Sequence, residues 1–231
     1  MRITAVVPAA GQGIRMSGRT KGGLRKPFFV VRKRPILVHT LSALSGSRRI
    51  DDIVVIVHKD DVDKCEKLVR RFGLKKVVKV ASGGKTRFES VKRGLSCVPK
   101  ETEIVVIHDG VRPFVDNKMI SDSVDACARF GAAVCGVPVV STVKSVSGDL
   151  TVMSTPDRSR LFLVQTPQVF MKETIEKAYR LPMKDKARIT DDSMLVERMG
   201  HKVKIVSGSY RNIKVTTPED IILAKALLKK T

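Results

Sequence analysis

The 231-residue chain has no tryptophan, few other aromatic residues and no long apolar run. Aromatic side chains make up 4% of the sequence, and only two of them are tyrosines. A helix that crosses a membrane needs about 20 consecutive apolar residues, and no stretch approaches that length. The first residues contain no extended apolar signal segment either. We therefore expect a cytoplasmic protein with no membrane partner.

Cysteine is also scarce and is not spaced for a metal site. The four cysteines are Cys65, Cys97, Cys127 and Cys135, and no pair has the C-x-x-C pattern. The four histidines do not cluster with them. This pattern excludes the common zinc-binding modules and predicts reduced, mostly buried thiols.

Basic residues outnumber acidic residues in the chain as a whole. Lysine and arginine total 44 against 23 acidic residues, a net charge of +21, and eleven basic residues precede the first acid, Asp51. Such a charge suits nucleic acid, an anionic membrane or polyphosphate ligands. Because nucleic-acid binding often uses exposed aromatic side chains for stacking, the low aromatic content favours small phosphorylated ligands. A basic nucleic-acid-binding module of α/β fold stays open as the alternative from a different class.

Buried strands alternate with amphipathic helices along the chain. Continuous β-branched runs are typical of parallel strands that are covered by helices on both faces. The predicted strands are Ile3–Pro8, Ile53–Val57, Glu103–His108 and Ala132–Val137, and the predicted helices are Ile36–Leu44, Asp60–Phe72, Thr86–Leu95, Asn117–Phe130 and Pro218–Leu228, the last capped by Thr217. This order predicts a doubly wound α/β fold with a mostly parallel, twisted sheet, in a single domain of residues 1–231.

One segment breaks this alternation. Residues Val139–Leu163 alternate apolar and polar side chains around Ser147-Gly148-Asp149, which predicts a protruding β-hairpin arm. A two-stranded hairpin is only marginally stable by itself. We therefore expect the arm to pack against a second copy of the chain, in a homodimer.

The loop after the first strand has the composition of a phosphate-binding loop. Small side chains from Pro8 to Gly13 allow backbone N–H groups to approach a phosphate, and Arg15 adds positive charge. Met16 stands where a dinucleotide fingerprint has its third glycine, and no G-K-[ST] closes a Walker A loop. A tight turn without a ligand is the other interpretation of this loop.

A second candidate loop follows the predicted strand that ends at His108. Ligands of open α/β sheets bind at the carboxyl ends of the strands, where the strand order reverses. Asp109 could hold a substrate hydroxyl or a magnesium–phosphate complex, and Arg112 could contact phosphate or orient the Asp109 carboxylate. A local ion pair that shapes the turn is the alternative, and His108 is interpreted as a structural histidine.

Seven motifs occur in the order known from one enzyme family. They are PAAGQGIRM, Arg25-Lys26-Pro27-Phe28, GGKTRFESV, HDGVRP, TPQVF, ITDD and Asn212-Ile213-Lys214-Val215-Thr216. From residue 3 to about 228 the chain resembles the 2-C-methyl-D-erythritol 4-phosphate cytidylyltransferases of non-mevalonate isoprenoid biosynthesis. The resemblance implies a Rossmann-like nucleotidyltransferase fold, with CTP and a sugar-alcohol phosphate as substrates and Mg²⁺ or another divalent cation as cofactor.

The resemblance also implies roles for individual residues. On the nucleotide side, Ala9, Ala10 and Gly11 would cradle the CTP phosphates. Arg15 and Lys26 would stabilise the charge that develops at the α-phosphate and on pyrophosphate. The cytosine edge would be recognised by Gly83, Gly84 and Ser90.

On the substrate side, the implied pocket residues are Asp109, Arg112, Thr166, Thr190 and Lys214, with Lys214 also among the catalytic residues and Asp109 the candidate metal ligand. In the family the arm crosses to the partner subunit. Thr142 and Arg158 would therefore serve the neighbouring chain's site, Arg158 as a catalytic residue.

The chain departs from the family pattern between Arg15 and Lys26. The intervening segment Met16–Arg25 is long and holds three glycines, which predicts a lid that CTP orders. Lys21 is an alternative to Lys26 within this segment. The related ribitol-5-phosphate cytidylyltransferases share several of the motifs and remain the second interpretation of the substrate.

Overall fold

The structure is a computed structural model that describes residues 1–11, 24–182 and 189–228. Its strands are β1 (Arg2–Ala9), β2 (Val30–Val31), β3 (Arg34–Pro35), β4 (Asp52–Val57), β5 (Val77–Ser82), β6 (Thr102–Ile107), β7 (Ala132–Pro138), β8 (Ser145–Val146), β9 (Val152–Ser154), β10 (Phe162–Met171) and β11 (Lys204–Ser207). Its helices are α1 (Ile36–Gly46), α2 (Val62–Arg71), α3 (Arg87–Ser96), α4 (Asn117–Phe130), α5 (Lys172–Arg180), α6 (Ser193–Glu197) and α7 (Pro218–Leu227).

Seven of these strands form one sheet in the order β11-β7-β10-β6-β1-β4-β5. Strand β1 pairs in parallel with β4 on one side and with β6 on the other. The chain therefore runs outward from β1 to β5 and then crosses back to β6, so that the strand order reverses between β1 and β6. Strand β10 is antiparallel to both of its neighbours, β6 and β7. The prediction of a mostly parallel sheet is confirmed.

Helices cover both faces of this sheet because successive residues of a strand point to opposite sides. Ala5 and Val7 of β1 belong to the core that contains residues of α1, α2 and α4. Val6, between them, belongs to the core that contains residues of α3, α5 and α6. The predicted doubly wound arrangement is therefore present.

Polar side chains define where several helices begin. Thr86 accepts a hydrogen bond from the Glu89 backbone N–H at the start of α3. Thr217 and Asp220 form a reciprocal capping box at the start of α7, as the sequence predicted for Thr217. Helix α2 begins later than predicted, because Lys59–Asp61 form a separate 3-10 turn.

The predicted arm is present, but its outer boundary needs a correction. Strands β8 and β9 form an isolated antiparallel pair. The base of the arm closes where the Val139 N–H donates to the Leu161 carbonyl at 3.0 Å. Leu163 already pairs with Val137 inside the main sheet, so the arm ends two residues before the predicted limit.

The cysteine side chains are free thiols, as expected. Cys65, Cys127 and Cys135 are buried, and Cys97 is half-buried. Burial raises the pKa of the Cys65 and Cys127 thiols to about 12. Within the described ranges, no three His, Cys, Asp or Glu side chains cluster in a way that could hold a metal ion. No helix in the same ranges is long and apolar enough to span a membrane.

Candidate active site

Two adjacent clefts lie at the carboxyl ends of β1 and β6. The first cleft is lined by Pro8, Ala9, Ala10, Gly11, Lys26, Pro27, Gly84, Lys85, Thr86, Arg87, Ser90, Asp109, Val111, Lys214 and Thr216. The second cleft is lined by Arg87, Asp109, Arg112, Val164, Gln165, Thr166, Gln168, Thr190, Asp191, Ser193, Met194, Glu197 and Lys214. Arg87, Asp109 and Lys214 line both clefts and form the partition between them.

Small residues bring three loops together at the wall of the first cleft. A Cβ atom on Gly110 would lie 2.8 Å from the Ala9 Cβ, and one on Gly83 would overlap the Ala10 Cβ. Ala9 and Ala10 are buried beneath this contact, while Gly11 is exposed to the cleft. Larger side chains at Gly83 and Gly110 would push these loops apart, so their close approach requires small residues.

Lys26 reaches the first cleft from a short 3-10 turn, Lys26–Phe28. Two contacts anchor the chain on either side of it. The Arg25 guanidinium donates to the carboxylates of Asp61 at 2.8 Å and Asp60 at 3.0 Å, and the Phe28 ring is buried in the core. Arg15, Lys21 and positions 16–23 of the predicted lid lie outside the described residues.

The loop between β5 and α3 forms the opposite wall. The Ser90 hydroxyl donates to the Thr86 carbonyl at 2.9 Å and accepts from the Gly84 N–H at 3.2 Å. A neighbouring bond from the Lys85 N–H to the Glu89 carboxylate, at 2.7 Å, closes the same turn. Gly84 and Ser90 therefore line the first cleft on a loop that is held by these hydrogen bonds, and Gly83 packs behind it against Ala10.

The Asp109 carboxylate lies in the middle of a cluster of charged side chains at the partition. Its Oδ2 lies 2.9 Å from Lys214 Nζ and 3.5 Å from Arg112 Nε, and its Oδ1 lies 3.4 Å from Arg87 Nε. Burial alone would raise the pKa of this carboxyl, but the three cations hold the pKa well below its usual range. Asp109 is therefore ionised at neutral pH, inside a cluster that is positive as a whole.

His108 lies directly behind Asp109 and is fully buried. Its Nε2 lies 3.0 Å from the Arg112 carbonyl, which can only accept, so Nε2 carries the proton. Its Nδ1 then accepts from the Thr166 hydroxyl at 3.1 Å. Burial lowers the pKa of His108 to about 4, so the ring is neutral at physiological pH. These contacts agree with the interpretation of His108 as a structural residue.

Thr166 holds the Asp109 backbone through the same hydroxyl. Its Oγ1 accepts a hydrogen bond from the Asp109 N–H at 3.1 Å. Although Thr166 lines the second cleft, its hydroxyl is already committed to His108 and Asp109. In this structure Thr166 positions the Asp109 loop, and its direct contact with a substrate stays a prediction.

Arg112, Thr190 and Lys214 reach the second cleft from three different segments. Arg112 donates to the Asn212 carbonyl at 2.8 Å, which joins the Asp109 loop to the segment that carries Lys214. Thr190 is exposed at the cleft wall. The structure thus brings together Asp109, Arg112 and Lys214 in contact, with Thr190 on the same cleft.

The sequence did not predict one pair of charged side chains at the partition. Arg87 lines both clefts and makes a two-pronged ion pair with Asp192, at 2.9 and 2.6 Å. Arg87 belongs to the motif GGKTRFESV and Asp192 to the motif ITDD, but the family resemblance implied no role for either residue. Their 105-residue separation along the chain conceals the pair, and only the sheet topology brings them together.

Thr142 and Arg158 lie on the arm, away from this site. Both are exposed, and Arg158 donates to the Val140 carbonyl at 2.7 Å within the arm. Neither residue is among the described residues that line the two clefts of the same chain. A role for these two side chains in a neighbouring chain's site stays a prediction.

The charged cluster does not fit a protein-held magnesium ion at Asp109. Both carboxylate oxygens of Asp109 already face cations, Arg87 on one side and Arg112 and Lys214 on the other. A magnesium ligand would instead need an oxygen that is open to the ion. The donor chemistry therefore speaks against Asp109 as a metal ligand.

Comparison with known proteins identifies this arrangement. The family model of 2-C-methyl-D-erythritol 4-phosphate cytidylyltransferase (IspD) matches residues 3–230. The chain is 45% identical to the enzyme of that name from Syntrophus aciditrophicus over 230 residues, which cover 99% of this chain and 97% of the relative. It is 41% identical to the enzyme of the same name from Caldanaerobacter subterraneus over 231 residues, covering 100% of both chains.

Solved structures show the same similarity. The crystal structure of 4-diphosphocytidyl-2C-methyl-D-erythritol synthase from Anaerococcus prevotii matches with a TM-score of 0.86 at 34% identity, covering 99% of this chain and 96% of the other. The 2-C-methyl-D-erythritol 4-phosphate cytidylyltransferase from Thermus thermophilus matches with a TM-score of 0.76 at 29% identity, covering 99% and 100%.

Proposed function

Since this chain belongs to the 2-C-methyl-D-erythritol 4-phosphate cytidylyltransferase family, we propose that its first cleft binds CTP and its second binds the sugar-alcohol phosphate. The enzyme converts CTP and 2-C-methyl-D-erythritol 4-phosphate to 4-diphosphocytidyl-2-C-methyl-D-erythritol and pyrophosphate, a step of isoprenoid biosynthesis. One observation carries the assignment of the clefts. They are adjacent and share Arg87, Asp109 and Lys214, so two anionic ligands would meet at a partition rich in cations.

The reaction needs positioning and positive charge more than a general base. A phosphate oxygen of the substrate attacks the α-phosphorus of CTP, and the bond to pyrophosphate breaks. Because the nucleophile is already an anion, no side chain has to remove a proton from it. This agrees with a described site whose histidine, His108, is buried and neutral.

In the first cleft, backbone N–H groups at Ala10 and Gly11 would approach the CTP phosphates. Lys26, with Arg15 from the preceding segment, would stabilise the charge that builds up on the α-phosphate and on pyrophosphate. The backbone at Gly84 would recognise the cytosine edge. The hydrogen bond to Ser90 supports this role, because it holds the Gly84 backbone at the wall of the first cleft.

In the second cleft, Lys214 and Arg112 would hold the phosphate of the sugar alcohol. Asp109 keeps these two cations at the partition and offers its carboxylate to a substrate hydroxyl. Thr190 lies on the same wall and would donate a hydrogen bond to the substrate. In this arrangement the attacking phosphate would be held beside the shared partition, where the α-phosphorus of CTP would also lie.

A divalent cation, Mg²⁺ in the first instance, would be carried by the CTP phosphates and not by Asp109. Such an ion would neutralise phosphate charge during the transfer. The roles given above to the protein residues do not depend on it.

The arm supports a homodimer in which each chain completes the other's site. Large apolar side chains are exposed along it, including Leu150 at 79%, Met153 at 69% and Val140 at 67%. Apolar surface of this extent on a thin hairpin is typical of an interface. A twofold dimer would cover it and bring Thr142 and Arg158 to the partner's second cleft.

Release of pyrophosphate from CTP tests this function. The purified protein is given CTP and Mg²⁺ with 2-C-methyl-D-erythritol 4-phosphate, with ribitol 5-phosphate, or with no acceptor. We expect rapid release with the first acceptor alone. Equal or faster release with ribitol 5-phosphate would contradict the assigned substrate, and no release with either would contradict the assigned activity.

A further inference from the structure

A partly buried ion pair, to which the proposed reaction assigns no role, lies at the partition between the clefts. Arg87 begins α3 and lines both clefts, and Asp192 lies just before α6, buried between Asp191 and Ser193, which line the second cleft. The two prongs of the Arg87 guanidinium donate to Asp192 at 2.9 and 2.6 Å, and the Arg87 Nε faces Asp109 at 3.4 Å. A single guanidinium therefore connects both walls to the Asp109 carboxylate.

Asp192 is fixed more firmly than an ion pair alone would require. Its side chain is fully buried, and the Tyr179 hydroxyl donates to its Oδ1 at 2.5 Å. The Tyr179 ring stacks on Phe88, the residue next to Arg87, with ring centres 4.7 Å apart. The Asp192 backbone N–H donates to the Gln168 side chain at 3.0 Å. Its neighbours thus hold both the carboxylate and its backbone in one position.

We infer that Asp192 is a positioning residue, which sets the guanidinium plane of Arg87 and, through it, the Asp109 carboxylate at the partition between the two clefts. This inference rests on the proposed function, because the partition matters only if two ligands react across it. A bidentate contact with a carboxylate fixes the plane of an arginine guanidinium group. A lysine cannot make this contact, and an arginine without the carboxylate is free to rotate. Misplacing the reacting groups by about 1 Å can cost roughly 10²-fold in rate.

If Asp192 acted only through its negative charge, removing that charge would have the opposite effect on the kinetics. Asp192 carries a negative charge near the site of two anionic ligands, so its neutralisation would strengthen their binding if only the net charge mattered. If Asp192 acts by positioning, its neutralisation would lower kcat although the site becomes more positive. The direction of the change therefore separates the two roles.

The test compares Asp192→Asn and Arg87→Lys with Asp125→Asn. The control removes the carboxylate of an exposed ion pair, Arg49–Asp125 at 2.7 Å, which is remote from both clefts. Steady-state kinetics with CTP and 2-C-methyl-D-erythritol 4-phosphate are measured after circular dichroism has verified folding. We expect kcat to fall about 10²-fold in both test variants, with each KM changed less than kcat, and to stay unchanged in the control.

The double variant sharpens this test. If Asp192 acts only through Arg87, Asp192→Asn combined with Arg87→Lys should be no slower than the slower single variant. Wild-type kcat in Asp192→Asn, or a lower KM with kcat retained, would overturn the inference. If Asp192→Asn does not fold, Arg87→Lys is the deciding variant, because it keeps the positive charge and removes the bidentate contact. A wild-type kcat in Arg87→Lys would likewise overturn the inference.

These results also separate the inference from the proposed function. A wild-type protein that does not turn over the two substrates would contradict the function itself. An active wild type with unaffected variants would contradict only the role of Asp192.

Discussion

At the scale of single residues, the placement of Lys26 is the feature with the clearest catalytic consequence. Lys26 lines the first cleft, and the Arg25–Asp61 ion pair and the buried Phe28 ring hold the turn on which it lies. A cation at this place is expected to stabilise the charge that develops during the transfer rather than the charge of bound CTP.

We expect Lys26→Ala, and likewise Arg15→Ala, to lower kcat by roughly 10²–10³ without loss of the fold, because one electrostatic partner of a transition state is typically worth about 2.7–4 kcal/mol. Steady-state kinetics of the purified variants measure this. Lys21→Ala serves as the matched control. Near-normal kcat in Lys26→Ala together with collapse in Lys21→Ala would identify Lys21 as the catalytic lysine.

His108 makes a second prediction at this scale, concerning stability. Burial lowers its pKa from 6.5 to about 4, so between these pH values the unfolded chain binds a proton that the folded chain does not. The free energy of unfolding therefore decreases as the pH falls through this window and is highest above it. The complete effect of this one group amounts to ~3 kcal/mol below both pKa values.

Urea unfolding at several pH values between about 7.5 and 4.5 measures this dependence. We expect the decrease to be clearly smaller in His108→Gln, which cannot gain a proton in either state. His201→Gln, at an exposed position, should behave as the wild type. The same pH dependence in His108→Gln and in the wild type would show that His108 does not titrate as its burial implies.

At the scale of elements, the first cleft depends on how closely two loops approach. A Cβ atom on Gly83 would lie 2.7 Å from the Ser90 Oγ and would overlap the Ala10 Cβ, so it would push the β5–α3 loop away from the phosphate loop. We expect Gly83→Ala to raise the KM for CTP roughly tenfold or more, because in the proposed function the two loops would bind opposite ends of CTP.

The matched control for this change is Gly46→Ala, at the last position of α1. A Cβ atom there has no neighbour within 4 Å, so we expect unchanged kinetics and equal or slightly greater stability. The KM for CTP and the melting temperature are measured on both variants. A wild-type KM in Gly83→Ala would mean that the loops can separate without loss of the nucleotide site.

At the scale of the whole molecule, the arm predicts shared active sites. If Arg158 acts in the partner's site, two inactive variants, Lys26→Ala and Arg158→Ala, should complement each other when mixed. A mixed dimer has one site with both residues intact. Random exchange makes about half of the dimers mixed, so activity should return to about a quarter of wild type.

This experiment needs proof of subunit exchange, for example from a mass difference between the two variants. The Lys26→Ala variant alone, taken through the same exchange procedure, gives the background activity. Absence of recovery despite exchange would mean that Arg158 serves its own chain, or that the arm is only a structural contact.

The net charge of +21 also belongs to this scale, since no single cleft accounts for it. A protein that uses its cations for CTP should be stabilised by CTP with Mg²⁺ and little affected by duplex DNA. At a hundred times its dissociation constant, a ligand stabilises the folded state by about 2.7 kcal/mol. Thermal melting with each ligand measures this, and a larger shift with DNA would favour the nucleic-acid-binding alternative.

Several elements could be predicted from sequence because their patterns are local. The strands β1, β4, β6 and β7 are continuous apolar runs, and the helix Asn117–Phe130 has the predicted bounds. The strands β5, β10 and β11 were not predicted. Strand β5 is a half-exposed edge strand, and β10 carries Gln165, Thr166 and Pro167 in its middle, where a buried strand is usually apolar.

The class of fold, the two site loops and, through the motifs, the family could all be predicted from the sequence. Local patterns are sufficient for these, because strand burial, helix caps and glycine loops depend on neighbouring residues. Contacts between distant side chains could not be predicted in this way. They are the contacts of Arg87 with Asp192, Lys214 with Asp109, and Thr166 with His108. Each of these contacts joins segments that are far apart in the chain. They form because the reversal of strand order at β1 and β6 brings the ends of several strands to one edge of the sheet, and no local pattern encodes that geometry.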